Sequence, residues 1–332
     1  MHAALMNGAE TKLVSVLIPA YNVQNDIADC LASVLRQTYR KLEIIIVDDG
    51  STDDTLSVCR HIADQDPRVT VYAQTNRGLA ETRNVLLSHA HGGYVTFIDS
   101  DDFVDDSYVE TLLEWLVVNK TDIAICGRCE VYGSRTILRP KPTYSNRRLS
   151  AFMAIRALNC FNSFDVSSCG RIYKRKIFAD IRYPSGKTSE DAYVTYRLID
   201  KAQSVYYRDI PLYCYRQREG SISRNTVVHM DYAMAADQQA DYFRDRDPRL
   251  FRVCRGSTAI ARMAIFNLVV LRRITISLEQ RGFLLKGNIR RFPYVLSNRD
   301  ISAWKKIQVA IFAFCPPLYA FLIRELKGRR TE

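Results

Sequence analysis

The chain has 332 residues, 47% apolar and 25% charged, enough for one large domain with an appendage and too apolar for a disordered chain. Its net charge of +11 is confined to one end: residues 251–332 hold 16 Lys+Arg against 4 Asp+Glu, and the first 250 hold 31 against 32. The basicity is therefore not a property of the whole chain, and no aromatic-plus-basic module for nucleic acid is present, so no nucleic-acid partner is expected.

Residues 1–11 read as a disordered leader without signal-peptide character, and the nine cysteines follow no disulfide framework, so a reduced, cytoplasmic chain is expected. Strand-like and helix-like patterns then alternate. "VSVLI" (14–18) is the first strand. "NDIADCLASVLRQ" (25–37) puts Ile27, Leu31, Val34 and Leu35 on one helical face, with Asn25 as the expected N-cap. "LEIIIV" (42–47) is the second strand, and "STDDTLSVCRHIAD" (51–64) a helix that opens on cap residues. "VTVYA" (69–73) is the third strand, "GLAETRNVLLSHA" (78–90) a helix, and "YVTFI" (94–98) the fourth strand. "SYVETLLEWLVVN" (107–119) opens with a Ser107-x-x-Glu110 capping-box pattern. This alternation predicts βαβ units around a mainly parallel sheet. Beyond Asp122 the pattern loosens: "DIAIC" (122–126) reads as a strand, 132–150 as a polar, proline-containing loop, 189–202 as a helix and 204–223 as aromatic strands with a polar tail.

Ligands of such sheets bind beyond the carboxyl ends of the strands. Four polar loops lie there: "PAYN" (19–22), "DDGSTDD" (48–54), "QTNRG" (74–78) and "DSDDFVDD" (99–106). The last has five aspartates in eight residues. Their repulsion is relieved by a hard divalent cation, which also bridges phosphate oxygens. Asp105 and Asp106 read instead as acids before a helix N-terminus. Arg77 and Arg83 stand near a helix start, where phosphate charge is well placed. Each loop alone reads as an ordinary turn and cap; their convergence on one crevice carries the argument. "SGKTS" (185–189) lacks the upstream glycine of a phosphate-binding loop, and "CGRC" (126–129) has no second pair at zinc spacing.

The run "VSVLIPAYNVQNDIADCLASVLRQTYRKLEIIIVDDGSTDDT", then "NRGLAETRN", then "YVTFIDSDD" resembles the family 2 glycosyltransferases of the GT-A fold in order and spacing. The resemblance continues through "GRIYKRKIF" (170–178), "YPSGKTSED" (183–191) and "YRQREGSIS" (215–223), and covers residues 12–225. It implies a Rossmann-like α/β domain with a mainly parallel central sheet flanked by helices. Residues 12–120 would be the nucleotide-sugar half, 121–225 the acceptor and base half, and 226–332 a helical basic extension. The implied reaction is inverting transfer from a nucleoside diphosphate sugar, most often a UDP-sugar, to a saccharide or lipid-linked acceptor.

Residue by residue, Pro19, Ala20, Tyr21 and Asn22 match the loop that lines the nucleotide. Asp49 matches the acid that meets the base, with Asp48 supporting the loop. Gly78 and Arg83 match the nucleotide-side turn and its arginine. Asp99, Ser100 and Asp101 match the Asp-x-Asp motif, with Asp101 and then Asp99 as ligands of Mn2+ or Mg2+. Glu190-Asp191 matches the Glu-Asp pair whose aspartate is the general base. Asp102, Glu190, Arg216 and Arg218 are candidate contacts to the acceptor or diphosphate. A single displacement needs one such base and one counter-charge, and no covalent nucleophile. A non-catalytic nucleotide-sugar-binding subunit and a nucleotidyltransferase are the alternatives.

In the C-terminal region, "AIARMAIFNLVVLRRITISL" (259–278) is apolar. Residues 307–323 form an uncharged run with Lys305, Lys306, Arg324, Lys327, Arg329 and Arg330 at its sides. A spanning helix needs about 20 apolar residues, and Pro316-Pro317 interrupts this one. The expectation is an interfacial anchor at the inner face of the cell membrane; a helical cap on the catalytic domain or a homodimer contact is the alternative.

Overall fold

The computed structural model describes residues 12–133, 135–138, 146–161, 163–217 and 228–328; the expected leader, Arg218 and the polar stretch up to 227 lie outside them. The chain divides into two compact units, Met1–Ala154 with Ser163–Arg218, and Ile155–Asn162 with Glu219–Glu332.

The first unit is built on four strands and three crossover helices. The strands are β1 (Val14–Ala20), β2 (Leu42–Asp48), β3 (Val69–Ala73) and β4 (Tyr94–Phe97), and the helices α1 (Ile27–Leu35), α2 (Thr55–Ala63) and α3 (Leu79–His89). The strands lie side by side in the order β3-β2-β1-β4, all parallel. β1 is buried along its whole length, as expected of a parallel strand covered on both faces. Leu17 and Ile18 are fully buried there, so truncation of either to Ala costs about 2–5 kcal/mol.

Beyond β4 the sheet becomes mixed. The remaining elements are β5 (Phe103–Val104), α4 (Tyr108–Val118), β6 (Ile123–Tyr132), β7 (Arg135–Leu138), β8 (Arg147–Ser150), the first half of α5 (Ala151–Leu158), β9 (Arg171–Lys174), α6 (Glu190–Lys201) and β10 (Ser204–Arg216). β9 runs antiparallel to both β4 and β6, and β10 runs parallel to β6. The expected loop over 132–150 instead contains β7 and β8, which add to the edges of β6 and β10. Charged residues on both short strands disguise them, because edge strands face water.

Two expected caps are also corrected. Asp26, not Asn25, precedes α1, and its carboxylate accepts from Arg216 Nη1 at 2.8 Å rather than capping the helix. Ser107 does not cap α4: its hydroxyl donates to Asp105 Oδ1 at 2.6 Å, while Glu110 accepts from Thr38 Oγ1 at 2.6 Å. In both cases a nearer charged or hydroxyl partner wins over the helix backbone.

The second unit is helical: α7 (Asp231–Phe243), α8 (Pro248–Leu271), α9 (Leu278–Leu285), α10 (Asn288–Ser297), α11 (Ala303–Phe314) and α12 (Pro316–Gly328). Asp247 caps α8 by accepting from the Arg249 and Leu250 amides, with Pro248 in the first helical position. α8 is the one helix among the described residues long and apolar enough to cross a membrane. It is instead largely buried within the structure and forms the core of this unit with Leu284, Val295, Phe312 and Tyr319. Ile155–Asn162 belong here through Arg156, paired with Asp300 at 2.5 Å, and Asn159, which accepts from Ser257 Oγ at 2.6 Å. The double proline ends one helix and starts another, so neither α11 nor α12 has the length of a span.

Candidate active site

The carboxyl ends of β1, β2, β3 and β4 are tied together by side chains of the four loops that follow them. Asn22, in the left-handed region at φ 49°, donates from its amide to Ser51 Oγ at 3.0 Å and accepts from Thr52 N at 2.8 Å. This joins the first loop to the second. Tyr21 beside it is 47% exposed, leaving an aromatic face open to solvent at the strand end, while Pro19 and Ala20 stay within β1.

Asp49 joins the second loop to the third. It accepts from Gln74 Nε2 at 2.7 Å, Arg77 N at 2.8 Å and Gly78 N at 2.8 Å. Gly78 has φ 84° immediately before α3, which a side chain rarely adopts. The neighbour Asp48 uses Oδ2 on Ser51 N at 3.1 Å; its Oδ1 is buried with no hydrogen-bond partner among the described residues. The acid expected at the base is thus a triple brace, and the acid expected as a brace keeps the unclaimed oxygen.

Arg83 joins the third loop to the fourth and to α6. It is 1% exposed, walled by the rings of Phe97 and Tyr183 at 5.9 and 5.6 Å. Nη2 donates to Asp99 Oδ1 at 2.9 Å, and Nη1 to Asp191 Oδ1 at 2.8 Å and to Glu190. Burial works against the Arg83 charge, but Asp191, Glu190 and Asp99 outweigh it and hold the group well above its ordinary range. Arg83 therefore does not face solvent as a phosphate clamp; it is the centre of an acid cluster. Burial pushes the Glu190 carboxyl up to about 7, Arg83 opposing and Asp191 adding to the rise.

Asp191 receives a second donor that the motif pattern does not reveal. Ser168 Oγ donates to Asp191 Oδ1 at 2.5 Å and lies 2.7 Å from the Tyr183 hydroxyl. Ser168 has one proton, so Tyr183 donates to Ser168, which donates to Asp191. Tyr183 opens a stretch that carries the resemblance and Ser168 lies two residues before another, but spacing alone cannot show that they reach one carboxylate. Both of these donors to Asp191 fall on Oδ1.

The aspartate run separates into parts. Asp99 and Asp101 are half-buried at the end of β4, with buried Ser100 between them. Asp102 is 1% exposed and turned inward, accepting from Tyr213 OH at 2.6 Å and Arg216 N at 2.8 Å. Burial first, then the charges of Asp99 and Asp101, raise its carboxyl well above the usual range. Asp105 is tied to Ser107, and Asp106 pairs with Arg36 at 3.4 Å on the surface. Arg216 is occupied by Asp26 at 2.8 Å and Asp29 at 3.1 Å. Tyr213 also braces the run, accepting from Asp99 N at 3.2 Å.

Asp99 and Asp101 offer the hard oxygen donors that Mn2+ or Mg2+ takes, and three carboxylates to one arginine leave an excess of negative charge at this strand end. Among the described residues no three His, Cys, Asp or Glu side chains group to enclose an ion. The cysteines of "CGRC" do not act together: Cys126 donates to Gly170 O, and Cys129 to Cys214 Sγ.

The fold and the loop-end site define a GT-A type nucleotide-sugar domain. The family model for glycosyl transferase family 2 matches residues 15–182, and the chain belongs to this family. It is 35% identical over 220 residues to glycosyltransferase GlyA of Streptococcus pneumoniae serotype 4, covering 64% of this chain but only 31% of that protein. In fold it is similar to residues 1–349 of S. aureus TarS in complex with UDP-GlcNAc, with TM-score 0.70 and 20% identity over 96% of this chain and 92% of that one. It is also similar to the mannosyltransferase PcManGT of Pyrobaculum calidifontis, in complex with GDP-Man and Mn2+, with TM-score 0.56 and 19% identity over 92% and 87% of the two chains.

Proposed function

We propose that this chain transfers a sugar, with inversion, from a UDP-sugar to a hydroxyl of a saccharide or lipid-linked acceptor in surface polysaccharide or glycolipid synthesis. The observation that carries the reading is Asp191: a carboxylate at the start of α6 with one oxygen fixed by Arg83 and Ser168 and the other left for a proton, joined through Arg83 to Asp99 beyond β4. Asp191 takes the proton of the acceptor hydroxyl as that oxygen attacks the anomeric carbon and the nucleoside diphosphate leaves. Tyr21 offers a face to the base, and the Asp48–Asp49 pair offers an acceptor for a base or ribose donor. Asp101 and Asp99 would hold Mn2+ or Mg2+, which supplies counter-charge to the leaving diphosphate. Glu190 and Arg83 hold Asp191 in place rather than touching substrate.

The same reading puts the chain at an anionic membrane surface. α11 and α12 expose Trp304, Phe314 and Phe321 at about 60%, beside Lys305, Lys306 and Arg324. The double substitution Trp304→Glu with Phe321→Glu is expected to shift the protein from the membrane pellet to the soluble fraction. An unchanged distribution removes the membrane part.

The transfer reading is tested by incubating the full chain with Mn2+ and a panel of UDP- and GDP-sugars, with and without crude membrane acceptor, and measuring nucleoside diphosphate release. Asp191→Asn should lower kcat by about 10²–10⁴-fold. No turnover with any donor overturns the enzyme reading; full activity in Asp191→Asn overturns the base.

A further inference from the structure

The helical unit holds a second charge cluster, of opposite sign. α8 and α10 cross closely: a Cβ on Gly256 would lie 3.2 Å from the backbone of Tyr294, so a side chain there would push the helices apart. This crossing brings three arginines to one carboxylate. Arg262 grips Asp237 of α7 with two prongs, Nη1–Oδ1 at 3.0 Å and Nη2–Oδ2 at 2.5 Å, and its Nε donates to Phe283 O at 3.1 Å. Arg255 and Arg291 each stand 3.8 Å from the same Oδ1, beyond hydrogen-bond reach. Arg291 is 9% exposed. Its Nη1 donates to Lys286 O at 2.9 Å, and its buried Nε has no hydrogen-bond partner among the described residues.

Three guanidinium charges thus meet one carboxylate, an excess of two. Burial first, then Arg262 and Arg255, press the Arg291 guanidinium down to about 10, with Asp237 opposing. An Arg262–Asp237 pair is complete by itself, and packing gives no reason to add two more charges. Uncompensated buried charge is unfavourable unless a partner of opposite sign arrives.

We propose that Arg255, Arg262 and Arg291 form a binding site for a phosphate group, with Asp237 fixing the orientation of Arg262. Guanidinium forks match the oxygens of a phosphate ester, and the unfilled N–H groups of Arg255 and Arg291 supply donors. Arg255, with its side chain 30% exposed, provides the opening. The phosphate belongs either to a soluble phosphorylated molecule or to a lipid headgroup; the recognising chemistry is the same. The site is independent of sugar transfer and stands or falls separately from it.

The test uses the full chain in a chloride buffer, titrated with inorganic phosphate and followed by calorimetry. Saturable binding is expected in the wild type and in Asp101→Asn, which alters only the first unit. Arg255→Gln should weaken binding at least tenfold, and Arg291→Gln should abolish it. Arg255→Gln is partly exposed and should keep its fold, as circular dichroism would report, so the test survives misfolding of Arg291→Gln. Absence of saturable phosphate binding in the wild type overturns the site, and so does undiminished binding in folded Arg255→Gln. Sedimentation with phosphatidylcholine vesicles, with and without phosphatidylglycerol, then separates the sources. Loss of phosphatidylglycerol-dependent binding in Arg255→Gln assigns the site to a lipid headgroup; unchanged vesicle binding assigns it to a soluble phosphate ester.

Discussion

Arg83 and Asp237 stand at the centres of two clusters built on the same plan with the signs reversed. In the α/β unit one buried arginine serves Asp99, Glu190 and Asp191. In the helical unit one carboxylate serves Arg255, Arg262 and Arg291. Neither cluster is neutral, and the sign of each excess names the ligand that balances it. The acid-rich cluster suits a cation and a hydroxyl proton; the base-rich one suits an oxyanion. A closed ion pair carries no such message, and Lys174–Asp122 at 2.8 Å is an example of one.

The comparison is broken most severely by removing a centre. Arg83→Met leaves three acids without a counter-charge and is expected to cost about 3–5 kcal/mol of stability, measured by urea unfolding at pH 7. The loss should shrink at pH 5, because protonation of the stranded carboxylates relieves their repulsion. An equal loss at both values would mean that Arg83 matters only through packing. Asp237→Asn is the mirror experiment. Its carboxylate is 24% exposed, so the expected cost is smaller, about 1–3 kcal/mol. Arginine does not titrate in the usual range, so acid should give no relief, while added phosphate should restore stability.

Two further variants sharpen the acid-rich side. Ser168→Ala removes a hydrogen bond to a charged group, typically about 1.5–3 kcal/mol, so kcat should fall roughly ten- to a hundredfold with KM nearly unchanged. Ser168→Thr should recover part of the loss, since the hydroxyl returns. Glu190→Gln should have the smallest effect on the transfer itself, and its signature is the pH dependence of stability. A carboxyl raised from 4.5 to about 7 stabilises the fold fully below 4.5, and that contribution fades as pH rises to about 7. The variant lacks this slope, so its stability relative to wild type should increase between pH 4.5 and 7 and then level off. A constant difference would show that Glu190 is ionised throughout.

How much of the site was legible depended on the residue. Asp99, Asp101 and Asp191 lie in contiguous motifs at strand and helix ends, where local pattern reports position directly. Ser168 and Tyr183 act on Asp191 across separations of 23 and 15 residues, from Ser168 to Asp191 and from Tyr183 to Ser168. No local period records such a contact. Arg83 looked like a phosphate ligand because a helix start favours that role; its side chain instead enters the interior, where two rings and three acids hold it. The short strands β7 and β8 were invisible for a different reason: their charged residues are those of an exposed edge, which resembles a loop in composition.

The amino-acid order by itself determined the alternation of strands and helices in the first half, the ends of the strands where chemistry collects, and the break at Pro316-Pro317. These follow from side-chain periodicity and backbone restriction, which act over a few residues. Only the tertiary structure decided which acids share an arginine, which aspartate turns inward to Tyr213 and Arg216, and that three arginines of the helical unit converge on Asp237. Those pairings arise from charges brought together by packing, over separations at which the sequence carries no record of distance.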